Sequence, residues 1–247
     1  MILDYQKKII ASRLIYDNKI DEIRSLLLED DQLDITDPCD PNVIITFQDR
    51  LYYIFKVSMD NNKNNLVEML VYEFKFDLSY KNYEPLIYCT SCEFEMFKFL
   101  INYSEINLTD PTNEVVHRMM KIACEDSDIK LLKFLLQNGV DPNLHIGEYL
   151  TTACEYGHLN IVNLLIDSGA NIGCGDNKPL FTAIKELNYP IVKLLIQNGA
   201  DMEAINKRLL KRNKVVEKHT NLVNLLIEKN IALVPWIIYL MTNQSTH

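Results

Sequence analysis

The sequence predicts an all-α protein, an α-solenoid in which helix–turn–helix repeats stack on one another. Gly139, Gly169 and Gly199 are spaced 30 residues apart within similar segments. A fixed period of about 20 to 50 residues is typical of repeat architectures. In addition, only 7 Gly and 8 Pro interrupt the 247 residues, which argues against an all-β sandwich rich in tight turns.

Each copy of the repeat predicts two helices joined by a short turn. Apolar residues recur at helical spacing in both halves of the best copy. They are Leu150, Ala153 and Cys154 in the first half, and Leu159, Val162, Leu165 and Ile166 in the second. Gly157 lies between the halves, where a turn needs positive φ, and Gly169 is expected to end the second helix.

The repeat extends along the chain with two longer gaps. One equivalent leucine marks each copy, at Leu26, Leu70, Leu100, Leu135, Leu165, Leu195 and Leu226. We therefore predict a single solenoid of about seven repeats over residues 1–247. Residues 1–49 form a divergent first repeat with an insertion, where a short strand or turn is expected at 43–47. Residues 231–247 are expected to supply a C-terminal capping helix, because a solenoid exposes apolar surface at its ends.

The pattern resembles the ankyrin repeat. The matching residues of the best copy are Leu150, Ala153, Gly157, His158, Val162, Leu165, Gly169, Ala170 and Asn171. The match is specific over about 118–202 and weaker outside it. It departs from the family in lacking the T-P-L-H motif and in having 30 residues where the family has about 33. Because the missing residues come from the connection between repeats, we expect blunt fingers.

The resemblance carries implications for function. Short repeats of this kind look most like the ankyrin proteins of giant amoeba-infecting DNA viruses. The family implies a non-enzymatic protein–protein interaction module that displays a concave surface. The partner would be a host protein, met in the host cytoplasm, if the gene is viral. Applied to the first helices and finger tips, the family geometry gives the partner-binding candidates Glu125, Asp126, Tyr149, Thr152, Glu155, Tyr156, Asp176, Lys178, Thr182, Lys185 and Glu186.

Composition and charge narrow the classes of partner. The net charge is −9, so nucleic-acid binding is not favoured, although residues 207–218 form a basic run. The longest apolar run, residues 231–241, has eleven residues, and a bilayer needs about 20. The start of the chain lacks the apolar run of a secretory signal, which predicts a cytoplasmic protein. We expect a monomer.

The sequence offers little catalytic chemistry. Cys89 and Cys92 have the C-x-x-C spacing of a zinc or thiol-redox site, and a metal- or thiol-dependent activity there is one alternative function. No second pair completes a zinc site, and the small-residue positions of the repeat explain Cys89 by packing. The five histidines do not cluster along the sequence. We therefore predict no catalytic residues, no bound metal and no cofactor. A ubiquitin-ligase substrate adaptor is a further alternative, although the sequence shows no F-box-like segment.

Overall fold

The computed structural model describes residues 11–29, 35–36, 44–186 and 188–201. These residues divide into two compact units, one up to Ile106 and one from Asn107, and each is described by itself. A single solenoid over 1–247 stays a prediction. The capping helix at 231–247 and the basic run at 207–218 lie outside the described residues.

The first unit is helical apart from one small ribbon. Residues 11–16 are helical. The elements that follow are α1 (Ile20–Glu29), β1 (Ile35–Thr36), β2 (Ile44–Ile45), α2 (Phe47–Asp60), α3 (Asn64–Tyr72), α4 (Tyr80–Cys89) and α5 (Phe94–Tyr103). Helix α2 packs on α3 and α4, and α4 packs on α5.

The insertion contains the short strand that was predicted at 43–47. It is β2, which pairs antiparallel with β1. Phe47 does not continue the strand, because a capping box begins α2 at this point. The Thr46 side chain accepts from the backbone N–H of Asp49, and the Asp49 carboxylate accepts from the backbone N–H of Thr46.

The second unit consists of three helix pairs. They are α6 (Glu114–Glu125) with α7 (Ile129–Gln137), α8 (Leu144–Tyr156) with α9 (Leu159–Asp167), and α10 (Cys174–Lys185) with α11 (Tyr189–Gln197). Helix α8 packs between α6 and α10, and α9 contacts both α7 and α11. The first helices therefore form one layer and the second helices another. This arrangement confirms the predicted all-α ankyrin-type solenoid.

The core of the second unit follows the 30-residue register. Equivalent small and large residues are fully buried in all three repeats: Ala123, Ala153 and Ala183, and Leu135, Leu165 and Leu195. One helix pair cannot cover its own apolar face, so each repeat depends on its neighbours for burial.

Left-handed backbone shapes the connections. The turn within a helix pair has positive φ at Gly157 (79°), as predicted, and also at Asn62 (53°). Helices α4, α8 and α10 each begin with three consecutive left-handed residues, at 81–83, 145–147 and 175–177. Among the described residues from 107 to 201, the connections between repeats contain no strand, in agreement with blunt fingers.

Candidate functional site

The first helices of the second unit line a concave groove of about 320 Å³. Because these helices pack side by side, residues 30 apart form rows across them. One row holds Glu125, Glu155 and Lys185. The complete lining is Lys121, Glu125, Glu148, Thr151, Thr152, Glu155, Tyr156, Lys178, Thr182 and Lys185. The groove therefore combines three ammonium groups and three carboxylates with hydroxyl groups.

The groove brings together most of the predicted partner-binding residues. Seven of the eleven line it: Glu125, Thr152, Glu155, Tyr156, Lys178, Thr182 and Lys185. Asp126, Asp176 and Glu186 are exposed but lie outside its lining. That any of these residues binds a partner stays a prediction.

Tyr149 is a correction to the predicted surface. It was expected at an exposed finger tip, but its side chain is fully buried. Its hydroxyl lies 3.0 Å from Nδ1 of His117. The equivalent residues 30 positions away, Met119 and Pro179, are apolar and buried, and this pattern in the sequence could have predicted the burial.

The floor and the wall of the groove differ in exposure. Thr152 and Thr182 are both nearly buried and form the floor. Tyr156 is 55% exposed, and its ring stacks on the imidazole of His158 with centroids 6.2 Å apart. An exposed aromatic ring held in place by a neighbour is suited to contact a partner, since it loses little conformational freedom on binding.

Two lysines of the groove have carboxylate neighbours. Nζ of Lys121 lies 3.4 Å from Oε1 of Glu148, and Nζ of Lys185 lies 2.6 Å from Oε1 of Glu186. The hydrogen bond that Lys185 donates to Glu186 raises the pKa of Lys185 above its usual value. Both ion pairs are partly exposed, so an acidic group of a bound partner could replace the carboxylate beside either lysine at little energetic cost.

Two histidines that lie 28 residues apart in the sequence meet at the edge of the groove. The ring centroids of His117 and His145 are 3.6 Å apart. Burial, followed by the charge of His145, lowers the pKa of His117 below its usual value. The repeat register aligns His117 with Gly147 and not with His145, so the sequence pattern does not predict this contact. The left-handed turn at 145–147 creates it.

The cysteine pair is unsuited to the alternative function. Cys89 is fully buried, and its thiol donates to the carbonyl of Pro85 over 2.9 Å. Burial raises the pKa of both Cys89 and Cys92, and a protonated thiol is a poor nucleophile and metal ligand. The structure therefore gives no support to a thiol or metal activity at this pair.

A second groove, of about 470 Å³, lies on the layer of second helices. Ile129, Leu159, Leu164 and Leu194 supply its apolar part, and Lys133, Asn160, Asn163 and Asp167 its polar part. None of the described helices is long and apolar enough to cross a bilayer.

Comparisons with known proteins agree with the register of the helix pairs. Residues 119–206 match a family model described as "Ankyrin repeats (3 copies)". Comparison with curated proteins finds no match. No curated relative therefore supports the resemblance to viral ankyrin proteins. Residues 119–206 are therefore similar in sequence to ankyrin repeats, and the packing of the helix pairs up to residue 201 agrees with this similarity.

Proposed function

We propose that this chain is a protein–protein interaction module whose concave groove binds an extended segment of a partner protein. Ankyrin repeats generally mediate protein–protein interaction, typically as non-enzymatic scaffolds. The observation that carries the proposal is the row of Glu125, Glu155 and Lys185 across α6, α8 and α10, because it presents charges in a fixed order on three helices packed side by side.

The row suggests the chemistry of the partner. Packed helices lie about 8–10 Å apart, and an extended chain advances about 3.3 Å per residue. Side chains about three residues apart on an extended segment would therefore match neighbouring helices. We expect a cationic side chain opposite Glu125 or Glu155 and an acidic one opposite Lys185. Tyr156 would contribute an aromatic contact beside Glu155.

The proposal places the interaction in the cytoplasm, with the protein as a monomer. A monomer in the cytoplasm would display the groove to soluble proteins, and the partner would be a host protein if the gene is viral. Acidic residues in the groove and a net charge of −9 favour a protein partner over nucleic acid. The ubiquitin-ligase adaptor alternative gains nothing from the family match, which concerns the repeats alone.

Affinity capture from cells that express the protein, followed by mass spectrometry, tests the groove. The groove variant is Glu155→Gln, Tyr156→Ala and Lys185→Gln combined. A matched control carries three polar substitutions on the second groove: Lys133→Gln, Asn163→Ala and Asp167→Asn. We expect the groove variant to lose a partner that the wild type and the control retain. Equal recovery by all three proteins would disprove the assigned surface, and loss by the control alone would move the site to the second helices.

A further inference from the structure

Three potential metal ligands converge at the edge of the concave groove. His117 lies on α6, and His145 and Glu148 lie in the first turns of α8. One ligand atom from each lies within 4.8 Å of the others. In the part of the chain that the structure describes, this is the one group of three His, Cys, Asp or Glu side chains so arranged.

The fold creates this convergence in two steps. The packing of α8 against α6 places Glu148 beside His117, with Oε2 of the carboxylate 3.7 Å from Nε2 of the ring. The left-handed turn at 145–147 then folds His145 back onto His117. His117 and Glu148 are half-buried, whereas His145 is exposed. Two of the three potential ligands are therefore held by packing, and the third faces solvent.

We propose that His117, His145 and Glu148 form a binding site for a divalent transition metal ion of the zinc class. Two imidazole nitrogens and one carboxylate oxygen are the ligands that such borderline ions prefer, whereas Mg²⁺ and Ca²⁺ prefer oxygen alone. Three protein ligands leave one tetrahedral position for water or for a donor from another molecule.

The distances are close to those that a metal requires. With metal–ligand bonds of about 2.0–2.2 Å, tetrahedral ligand atoms lie about 3.3–3.6 Å apart. The separation of 3.7 Å between His117 and Glu148 already approaches this value. The ligand atom of His145 lies within 4.8 Å of the other two, and its exposed side chain can bring it closer by rotation about its own bonds.

A buried neighbour orients the first ligand. The hydroxyl of Tyr149 lies 3.0 Å from Nδ1 of His117, and Tyr149 itself is fully buried. A hydrogen bond at one ring nitrogen fixes the ring and leaves the other nitrogen for the metal, which is how ligating histidines are usually held. Here the nitrogen left for the metal is Nε2, the one that faces Glu148.

Lys121 opposes the site electrostatically. Its ammonium lies 3.4 Å from Oε1 of Glu148, while Oε2 faces His117. The metal would therefore use the carboxylate oxygen that Lys121 does not contact. Because the ammonium and the metal repel each other, Lys121→Gln should bind metal more tightly than the wild type.

Titration of the full chain with Zn²⁺ alone, after chelator treatment and under reducing conditions, tests the proposal. We expect His145→Ala and Glu148→Gln each to weaken one binding event by at least tenfold, since even outer-shell changes weaken metal sites by about 10–100-fold. Glu155→Gln is the matched control, because it removes another carboxylate of the same groove. His145 is exposed, so His145→Ala is not expected to unfold the protein.

The outcomes separate this site from the cysteines. Bound Co²⁺ should give a tetrahedral spectrum without a thiolate charge-transfer band, and His145→Ala should abolish that spectrum. The absence of Zn²⁺ binding, equal affinity of wild type and His145→Ala, or a thiolate band that persists in His145→Ala would each overturn the proposal. Partner capture by the groove is measured separately and does not depend on this result.

Discussion

Nε2–H of His158 donates a hydrogen bond to the backbone carbonyl of Glu125 over 2.8 Å, joining the turn of one repeat to the last turn of α6 in the preceding repeat. The next repeat has a similar contact, in which Nδ2 of Asn188 donates to the carbonyl of Gly157, the residue that follows α8, over 3.3 Å. Carbonyl groups at the end of a helix lack partners within that helix, so the contact from His158 satisfies one such group. Both contacts link two repeats.

We predict that His158→Ala lowers the free energy of unfolding by about 1–2 kcal/mol, because it leaves the Glu125 carbonyl without its donor. Urea unfolding followed by circular dichroism measures the change. His158→Asn is the matched control, since asparagine serves as the donor at the equivalent position 188. It should retain part of the stability, and an alanine variant as stable as the wild type would contradict the role of this bond.

Leu165 and Leu164 provide a second test, of the packing between repeats. Leu165 is fully buried, whereas its neighbour Leu164 is partly exposed and lines the second groove. Leu165→Ala should destabilise the protein by about 2–5 kcal/mol, because it removes apolar contact and leaves a cavity. Leu164→Ala should cost clearly less. Equal losses in thermal or urea unfolding would mean that the register of the repeat is wrong at this helix.

Asp49 should make the first unit sensitive to acid. Burial alone would raise the pKa of this carboxyl, but hydrogen bonds from Lys81, Tyr80 and Thr46 outweigh it and hold the pKa well below its usual value. A depressed pKa contributes stability above the unfolded-state value near about 3.9, and this contribution is lost as the pH falls toward the folded-state pKa. Stability should therefore decline below about pH 5.

Asp49→Asn should lower the free energy of unfolding near neutral pH by about 1 kcal/mol, because it weakens the capping box of α2. It should also flatten the decline on the acid side, as measured by urea unfolding at several pH values. Lys81→Gln, which removes the ammonium 2.7 Å from Asp49, should flatten the decline in part. An acid profile that is identical in wild type and Asp49→Asn would exclude this carboxyl as the cause.

Helix pairs and core positions could be predicted from the sequence, because the spacing of apolar residues directly reflects the buried face of a helix. Leu150, Ala153 and Cys154, predicted to share one face, are all fully buried. Seven of the eleven candidate residues line one groove for the same reason, since their positions follow from the register.

The left-handed turns could not be predicted from the sequence. Residues such as His145 and Ile146 rarely adopt positive φ, so no local signal marks them. Their conformation follows from the short connection between repeats, which has to join the end of one helix pair to the next within few residues. The contact between His117 and His145 depends on this turn.

Gly147 offers a direct test of the turn. Its φ is +68°, and a Cβ atom there would lie 2.1 Å from Sγ and 2.7 Å from Cβ of Cys174, which is itself buried. Gly147→Ala thus adds an overlap worth about 1–3 kcal/mol to a backbone strain of about 1–2 kcal/mol. Gly169 has a φ of +88°, and a Cβ atom there would meet nothing within 4 Å. Gly169→Ala should therefore lower the free energy of unfolding by the backbone strain alone.

The difference in unfolding free energy between these two alanine variants measures the effect of the close contact between Gly147 and Cys174 of the next repeat. Urea unfolding should show Gly147→Ala to be the less stable variant. Adding Cys174→Gly should recover part of the loss in Gly147→Ala but none in Gly169→Ala, because only the first substitution meets the cysteine side chain. If the two glycine variants were equally stable, the turn at 145–147 would not pack against Cys174, and the placement of His145 beside His117 would lose its structural basis.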